Sequence, residues 1–238
     1  GRPSNTYVLE RGDHLQPGAL VEPNVPTVMR GDADEFHAQA PWPGAKATGR
    51  RLAFARWLTS ADHPLTARVI VNRVWQQLIG RPLVGTLSNF GSLGETPSHP
   101  ELLDDLAVRF IDNGWSLKWL QREIVLSSTY AQSSDVDPEK TEADPDNRLL
   151  WRIPRRRMSV EAYRDAVLFV SGRLEQAIGG PSLQPDEPES RRRTVYSEVS
   201  RMDLNPMLAS FDFPDPNAHS AKRFETTTPL QKLFLLNS

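Results

Sequence analysis

Four residues near the C-terminal end have the types and spacing for chemistry: Asp212, Asp215, His219 and Arg223, all within one proline-broken stretch. Two carboxylates placed about a glycosidic bond divide acid and base work between them, and Trp or Tyr faces stack sugars. Asp212 and Asp215, with His219 as a third titratable group, are therefore the catalytic candidates of a carbohydrate-active enzyme. The same residues have a structural reading. Pro214 and Pro216 flank Asp215 as in a rigid turn, and an Arg fork grips a carboxylate through two parallel hydrogen bonds. On that reading Arg223 pairs with Asp212 or Asp215 and anchors the segment to the helices. Further binding candidates are Arg155, Arg156 and Arg157, with Arg152 and the run Arg191 to Arg193 adding to the positive charge. Such patches suit docking to a negatively charged partner. Asn72 and Arg73 complete the set. They fall, with Gln76, beside the apolar stripe of their helix, where polar side chains bind the backbone of neighbouring connectors.

Composition narrows the classes. A net charge of −2 and a pI of about 6.3 supply no global field for nucleic acid. Cysteine is absent, which excludes disulfides, thiolate metal sites and thioether-linked haem in this chain. No cofactor is expected in it. No apolar run reaches the roughly 18 to 20 residues that span a bilayer, and no signal-peptide core follows Gly1, so the segment is not membrane-spanning and an export signal would lie upstream. The connector Gly80 to Pro97 carries Gly85, Gly91 and Gly94 but lacks a following Gly-Lys-Ser/Thr and the GxGxxG spacing of a phosphate loop. In the acidic run Asp135 to Asp146, Lys140 stands where a calcium loop requires Gly and Pro138 intrudes. A mobile acidic loop is expected there.

The elements that must position these residues are mostly helices. Arg50 to Ser60, after a cap at Thr48, holds Leu52, Phe54 and Trp57. A second helix, starting at Asp62 or His63 with Pro64 in its first turn, carries the stripe Val71, Val74, Trp75 and Leu78 and stops at Gly80. Ser98 and Glu101 predict a capping box for the next, whose Leu102, Leu103, Leu106, Ala107 and Phe110 share a face. Asn113-Gly114 ends it, and Ser116 caps a helix with Leu117, Leu120 and Ile124 on one side. Ser159 caps another that runs to Gly179-Gly180, and Thr228-Pro229 starts the last. Thr194 to Val199 alternates as a strand, with Thr6 to Leu9 as its partner. The expected fold is thus mainly α: an irregular body of about five principal helices, a small β element and long proline-rich connections. Residues 1–49 form an extended arm and 50–238 the helical domain, cut at its C-terminal end from a larger polypeptide.

The succession HPLTARVIVNRVW (His63 to Trp75), PSHPELLDDLA (Pro97 to Ala107), NGWSLKWLQREIVLSSTY (Asn113 to Tyr130), NRLLWRIPRRRMSVEAYRDAVLFVSGRL (Asn147 to Leu174), FDFPDPN (Phe211 to Asn217) and TTTPLQKLFLLN (Thr226 to Asn237) resembles the planctomycete-type PSD-one domain. That domain of unknown function occurs in large exported bacterial proteins with cytochrome-c-like domains. The resemblance covers about Thr6 to Asn237. It implies a periplasmic or cell-surface location, and as partners other domains of the same polypeptide, one of them haem-bearing. The chain departs from the family pattern after Trp75, where Gln76-Gln77-Leu78-Ile79-Gly80 replaces a run expected to contain His. A ligand role for such His residues is lost here, and the family supplies no catalytic residue to carry over.

Three functions follow as expectations. The favoured one is a non-catalytic helical scaffold or interaction module of an envelope-associated protein. The alternatives are a carbohydrate-active domain using Asp212 and Asp215 on a polysaccharide, and a docking module for a haem domain. Convergence of Asp212, Asp215, His219 and Arg223 on a concave surface would favour the enzyme; internal pairing would favour the scaffold.

Overall fold

A computed structural model describes residues 5–29, 36–187 and 189–237. Residues 1–4 and 30–35 of the expected arm lie outside it. The chain packs as two compact units, residues 1–153 and 154–238, and each has its own core.

In the first unit, β1 (Thr6–Leu9) pairs antiparallel with β2 (Pro17–Val21). This corrects the expected partner: Thr194 to Tyr196 forms a 3-10 turn in the other unit, and Ser197 makes only an isolated bridge to Leu183. The hairpin is the nearer solution because its strands are separated by only a short connection, so closing it costs little chain entropy. All nine of its strand residues are exposed.

The helices follow: α1 (Arg50–Leu58), α2 (Thr66–Ile79), α3 (Pro100–Asp112), α4 (Leu117–Val125) and the short α5 (Pro138–Ala143). Helix α1 is preceded by Gly49, not capped by Thr48. Gly49 has φ +72°, and a Cβ there would lie 1.7 Å from the Gln39 carbonyl oxygen, so the close approach of the arm admits only glycine. No residue of α1 is buried. The predicted stripes of α2, α3 and α4 do meet: Val71, Trp75 and Ile79 pack with Leu103, Leu106, Ala107 and Phe110, and with Leu120 and Ile124. Leu83 and Val84 from the connector close this core, and Leu87 is buried too. The turn between α3 and α4 is tight. Gly114 and Trp115 both take positive φ, and the Trp115 ring lies edge-on to Phe110 at 5.4 Å, a contact that holds a conformation rarely adopted by a large side chain.

Two caps differ from expectation. Ser116 accepts from the Trp119 N–H as predicted. Ser98 makes no such bond: helix α3 opens at Pro100 after His99, and the Ser98 hydroxyl and N–H both donate to the Leu83 carbonyl. Pro100 sits in the first turn, where its missing N–H has no intrahelical partner to lose, and Ser98 instead fastens the connector. The acidic run is also more structured than a loop. Asp137 caps α5, and Asp144 accepts from the Arg148 and Leu149 N–H groups, with the Leu149 bond foremost in holding its carboxyl below the ordinary range.

The second unit contains α6 (Val160–Val170), α7 (Pro206–Ser210) and α8 (Pro229–Asn237). Ser159 caps α6 through the Ala162 N–H, but the helix ends at Val170, well before Gly179. Its apolar core is small: Val160, Met207, Leu208 and Phe211, with Leu204, Phe213 and Phe234 against it.

Candidate functional site

The polar residues of the second unit form three arrangements, and each is built from α6 or α8 outward. In the first, Arg223 donates both terminal nitrogens to Glu161 of α6, at 2.8 and 2.6 Å. Its guanidinium also lies 5.1 Å from the centre of the Phe213 ring. This corrects the expected pairing with Asp212 or Asp215. Glu161 sits in the first turn of α6, so the fork finds its carboxylate on the helix and not on its own segment. Burial pushes the Glu161 carboxyl up, but Arg223, the residue's own N–H and the Ser159 hydroxyl together outweigh it and leave the group below the ordinary carboxylate range.

In the second, Asp212 has φ +60°, a region Asp tolerates better than most side chains. That turn aims its carboxylate at the irregular segment before α8. One oxygen accepts from the Thr226 hydroxyl at 2.7 Å and the other from the Thr226 N–H at 2.9 Å. Gln231, almost fully enclosed, joins them. Its amide nitrogen donates to the Ser210 carbonyl and to Asp212, and its oxygen accepts from the Thr228 N–H and from Arg157. Thr228 returns the contact by accepting from the Gln231 N–H, which caps α8 as predicted. The Thr226 N–H is the main reason the Asp212 carboxyl lies below its ordinary range. Arg157 also donates to the Thr226 carbonyl.

In the third, Arg164 of α6 gathers the irregular chain after Gly180. It donates to the Pro185 carbonyl at 2.8 Å, the Arg192 carbonyl at 2.9 Å and the Ser190 carbonyl. Neighbouring Asp165 accepts from the N–H and hydroxyl of Thr194 at 2.7 and 2.6 Å. Sequence reasoning passed over this pair. Its signal was two adjacent charges on a helix whose Val160, Tyr163 and Val167 are apolar, since charges beside a core stripe need internal partners.

The remaining candidates are scattered. Asp215 is exposed and accepts from the Asn217 N–H at 2.8 Å. His219, Arg155 and Arg156 are exposed. The run Arg191 to Arg193 is tied locally: Arg191 to Glu189, Arg192 to the Gly179 and Pro181 carbonyls, and Arg193 to Asp165. In the first unit, Arg73 is half-buried on α2. Asn72 is fully buried, with its amide donating to the Val84 carbonyl at 3.0 Å and its oxygen accepting from the Val84 N–H at 2.9 Å.

A concave surface does exist in the second unit. A recess of about 410 Å³ is lined by Gln184, Asp186, Glu187, Glu198, Asp203 and Asn205. Asn205 is buried there, donating to Gln184 and Asp186, and Gln184 donates to Glu198. Asp212, Asp215, His219 and Arg223 are not among its walls. Among the described residues, no group of three or more His, Asp or Glu side chains is arranged to hold a metal ion.

The sequence profile of PSD1, described as a protein of unknown function (DUF1553), matches residues 50–238. The chain belongs to the PSD1 family. Most of both units therefore lies within the PSD1 pattern, including Asn72 and the Glu161–Arg223 and Asp212–Gln231 contacts, while the β1–β2 hairpin lies before it. No curated protein and no solved structure matches the chain.

Proposed function

We propose that this PSD1 chain is a non-catalytic helical scaffold or interaction module of a large exported, envelope-associated bacterial protein. Its partners are other domains of the same polypeptide, a haem-bearing domain among them. The observation that carries the reading is the internal engagement of the residues best suited to chemistry. Both oxygens of Asp212 accept bonds from Thr226, and Arg223 is clasped bidentately to Glu161. A general acid or base needs its carboxyl presented to a bound substrate, and a retaining or inverting pair needs two carboxyls facing one sugar bond. Asp212 and Asp215 are turned to separate local partners, and neither lines the recess. Arg157 and the run Arg191 to Arg193 are likewise engaged with carbonyls and carboxylates of their own unit.

The test is a screen of the full chain and its Asp215→Asn and Asp212→Asn variants against a polysaccharide panel, read for hydrolysis and oxidation. The expected result is no turnover by any of them. Turnover by the wild type that disappears in an equally stable Asp215→Asn variant would overturn the scaffold and establish the carbohydrate enzyme.

A further inference from the structure

His63, in the connection between α1 and α2, is 7% exposed, and its ring contacts fix its chemistry. Nδ1 lies 2.9 Å from the Thr66 hydroxyl, 3.1 Å from the Thr66 N and 3.3 Å from the Leu65 N, and both N–H groups donate to it. A ring nitrogen that accepts cannot carry a hydrogen, so the proton of the neutral imidazole resides on Nε2. Nε2 is itself enclosed and has no hydrogen-bond partner among the described residues. The ring stands edge-on to Trp57 of α1, 4.5 Å between centres. His63 thus does for α2 what Ser, Asp or Asn usually does at a helix start: it satisfies N–H groups that have no carbonyl four residues back. Here, though, the acceptor is a titratable one.

We propose that His63 is a pH-responsive latch that holds the first turn of α2, and through Trp57 the end of α1, in place at neutral pH and releases them on mild acidification. Protonation places a hydrogen on Nδ1, which removes both N–H bonds and leaves the Thr66 hydroxyl as the one neighbour of Nδ1 able to accept from it. It also sets a positive charge at the positive end of the α2 dipole and inside an enclosed site. The charged residues near it in the chain do not offset this: Arg56 of α1 and Asp62 in the connection are exposed, and Arg68 of α2 is bonded to Asp104 of α3 at 2.6 Å. Burial is the cause that lowers the His63 pKa below 6.5. Because the folded-state value is depressed, the contribution is complete above about 6.5 and fades as pH falls through the folded value. Release stays local. Helix α1 has no buried residue to keep it in place alone, whereas α2 beyond its first turns is anchored by fully buried Val71 and by Trp75.

The experiment combines imidazole NMR titration of the full chain with amide exchange from pH 7.5 to 5. The expected spectrum is a neutral Nε2-protonated ring titrating below 6.5. After correction for intrinsic rates, protection in the first turn of α2 falls about tenfold per pH unit between 6.5 and the folded value, with the later turns unchanged. In His63→Asn, whose amide oxygen accepts at any pH, the first turn keeps its protection throughout. A ring that titrates at or above 6.5, an Nδ1-protonated tautomer, or a loss of protection that persists in His63→Asn would each overturn the latch. The wild-type titration decides the question even where the variant folds poorly.

Discussion

The two units of this PSD1 chain solve the same problem by opposite means. The first buries a continuous apolar core, Val71, Trp75 and Ile79 against Leu103, Leu106, Phe110, Leu120 and Ile124, with Asn72 as a satisfied polar insert. The second has, among the described residues, a buried apolar cluster of only Val160, Met207, Leu208 and Phe211 and holds long irregular segments through arginines that reach backbone carbonyls. Apolar burial is non-directional and needs regular elements to line up their stripes. Irregular chain cannot do that, so its backbone groups require dedicated side-chain partners. Polar residues are thus dense in the second unit because they replace secondary structure there, and density of charge is a poor guide to catalysis in such a fold.

If the contrast is right, truncating an apolar residue should injure the first unit most. Leu106→Ala is expected to cost about 2 to 5 kcal/mol in urea unfolding, since Leu106 sits centrally on the buried face of α3. The matching injury in the second unit is polar. Arg164→Met keeps the aliphatic stem but strands the Pro185, Ser190 and Arg192 carbonyls, and should cost about 2 to 4 kcal/mol. Amide exchange should place that loss between residues 181 and 194. A neutral outcome for Arg164→Met would break the comparison.

Acid should separate the units by order. The carboxyls of Glu161 and Asp212 are both held below their ordinary range. Their contribution is therefore present above that range and disappears as pH falls through the lowered values. Acidification should loosen the start of α2 first, through His63, and the Arg223 and Gln231 contacts only at lower pH. Exchange mass spectrometry across that range reads the order directly, and simultaneous loosening of both regions would refute it. The smallest effect concerns two serines. Ser116→Ala should cost about 1 kcal/mol because its hydroxyl caps α4. Ser98→Ala should cost less, because the Ser98 N–H keeps the 2.8 Å bond to Leu83 when the hydroxyl is lost. Denaturation midpoints of the two variants compare them.

How much was legible follows the same division. Period and capping located α2, α3 and α4 and their buried faces, because an amphipathic stripe is a property of local sequence. The start of α3 was misplaced since Ser98 and Glu101 satisfy the capping pattern in sequence while Ser98 answers to Leu83, fifteen residues earlier. Thr194 to Val199 alternates as a strand does, yet Thr194 is drawn to Asp165 and the alternation is overridden. Arg223 was correctly read as a bidentate anchor and given the wrong carboxylate, because proximity in sequence favoured Asp212 whereas the fold brings Glu161, 62 residues away. The recess was invisible because Asp186, Glu198 and Asp203 meet across irregular chain that has no period to extrapolate.

The central claim is that the titratable residues of the second unit bind the fold together. It is tested most directly by a double-mutant cycle on Glu161 and Arg223, with Glu161→Gln, Arg223→Met and the double variant compared in urea unfolding. The account predicts that each single change is destabilising and that the double change costs less than their sum, with a coupling of about 1 to 3 kcal/mol. Additive and nearly harmless single changes would contradict it.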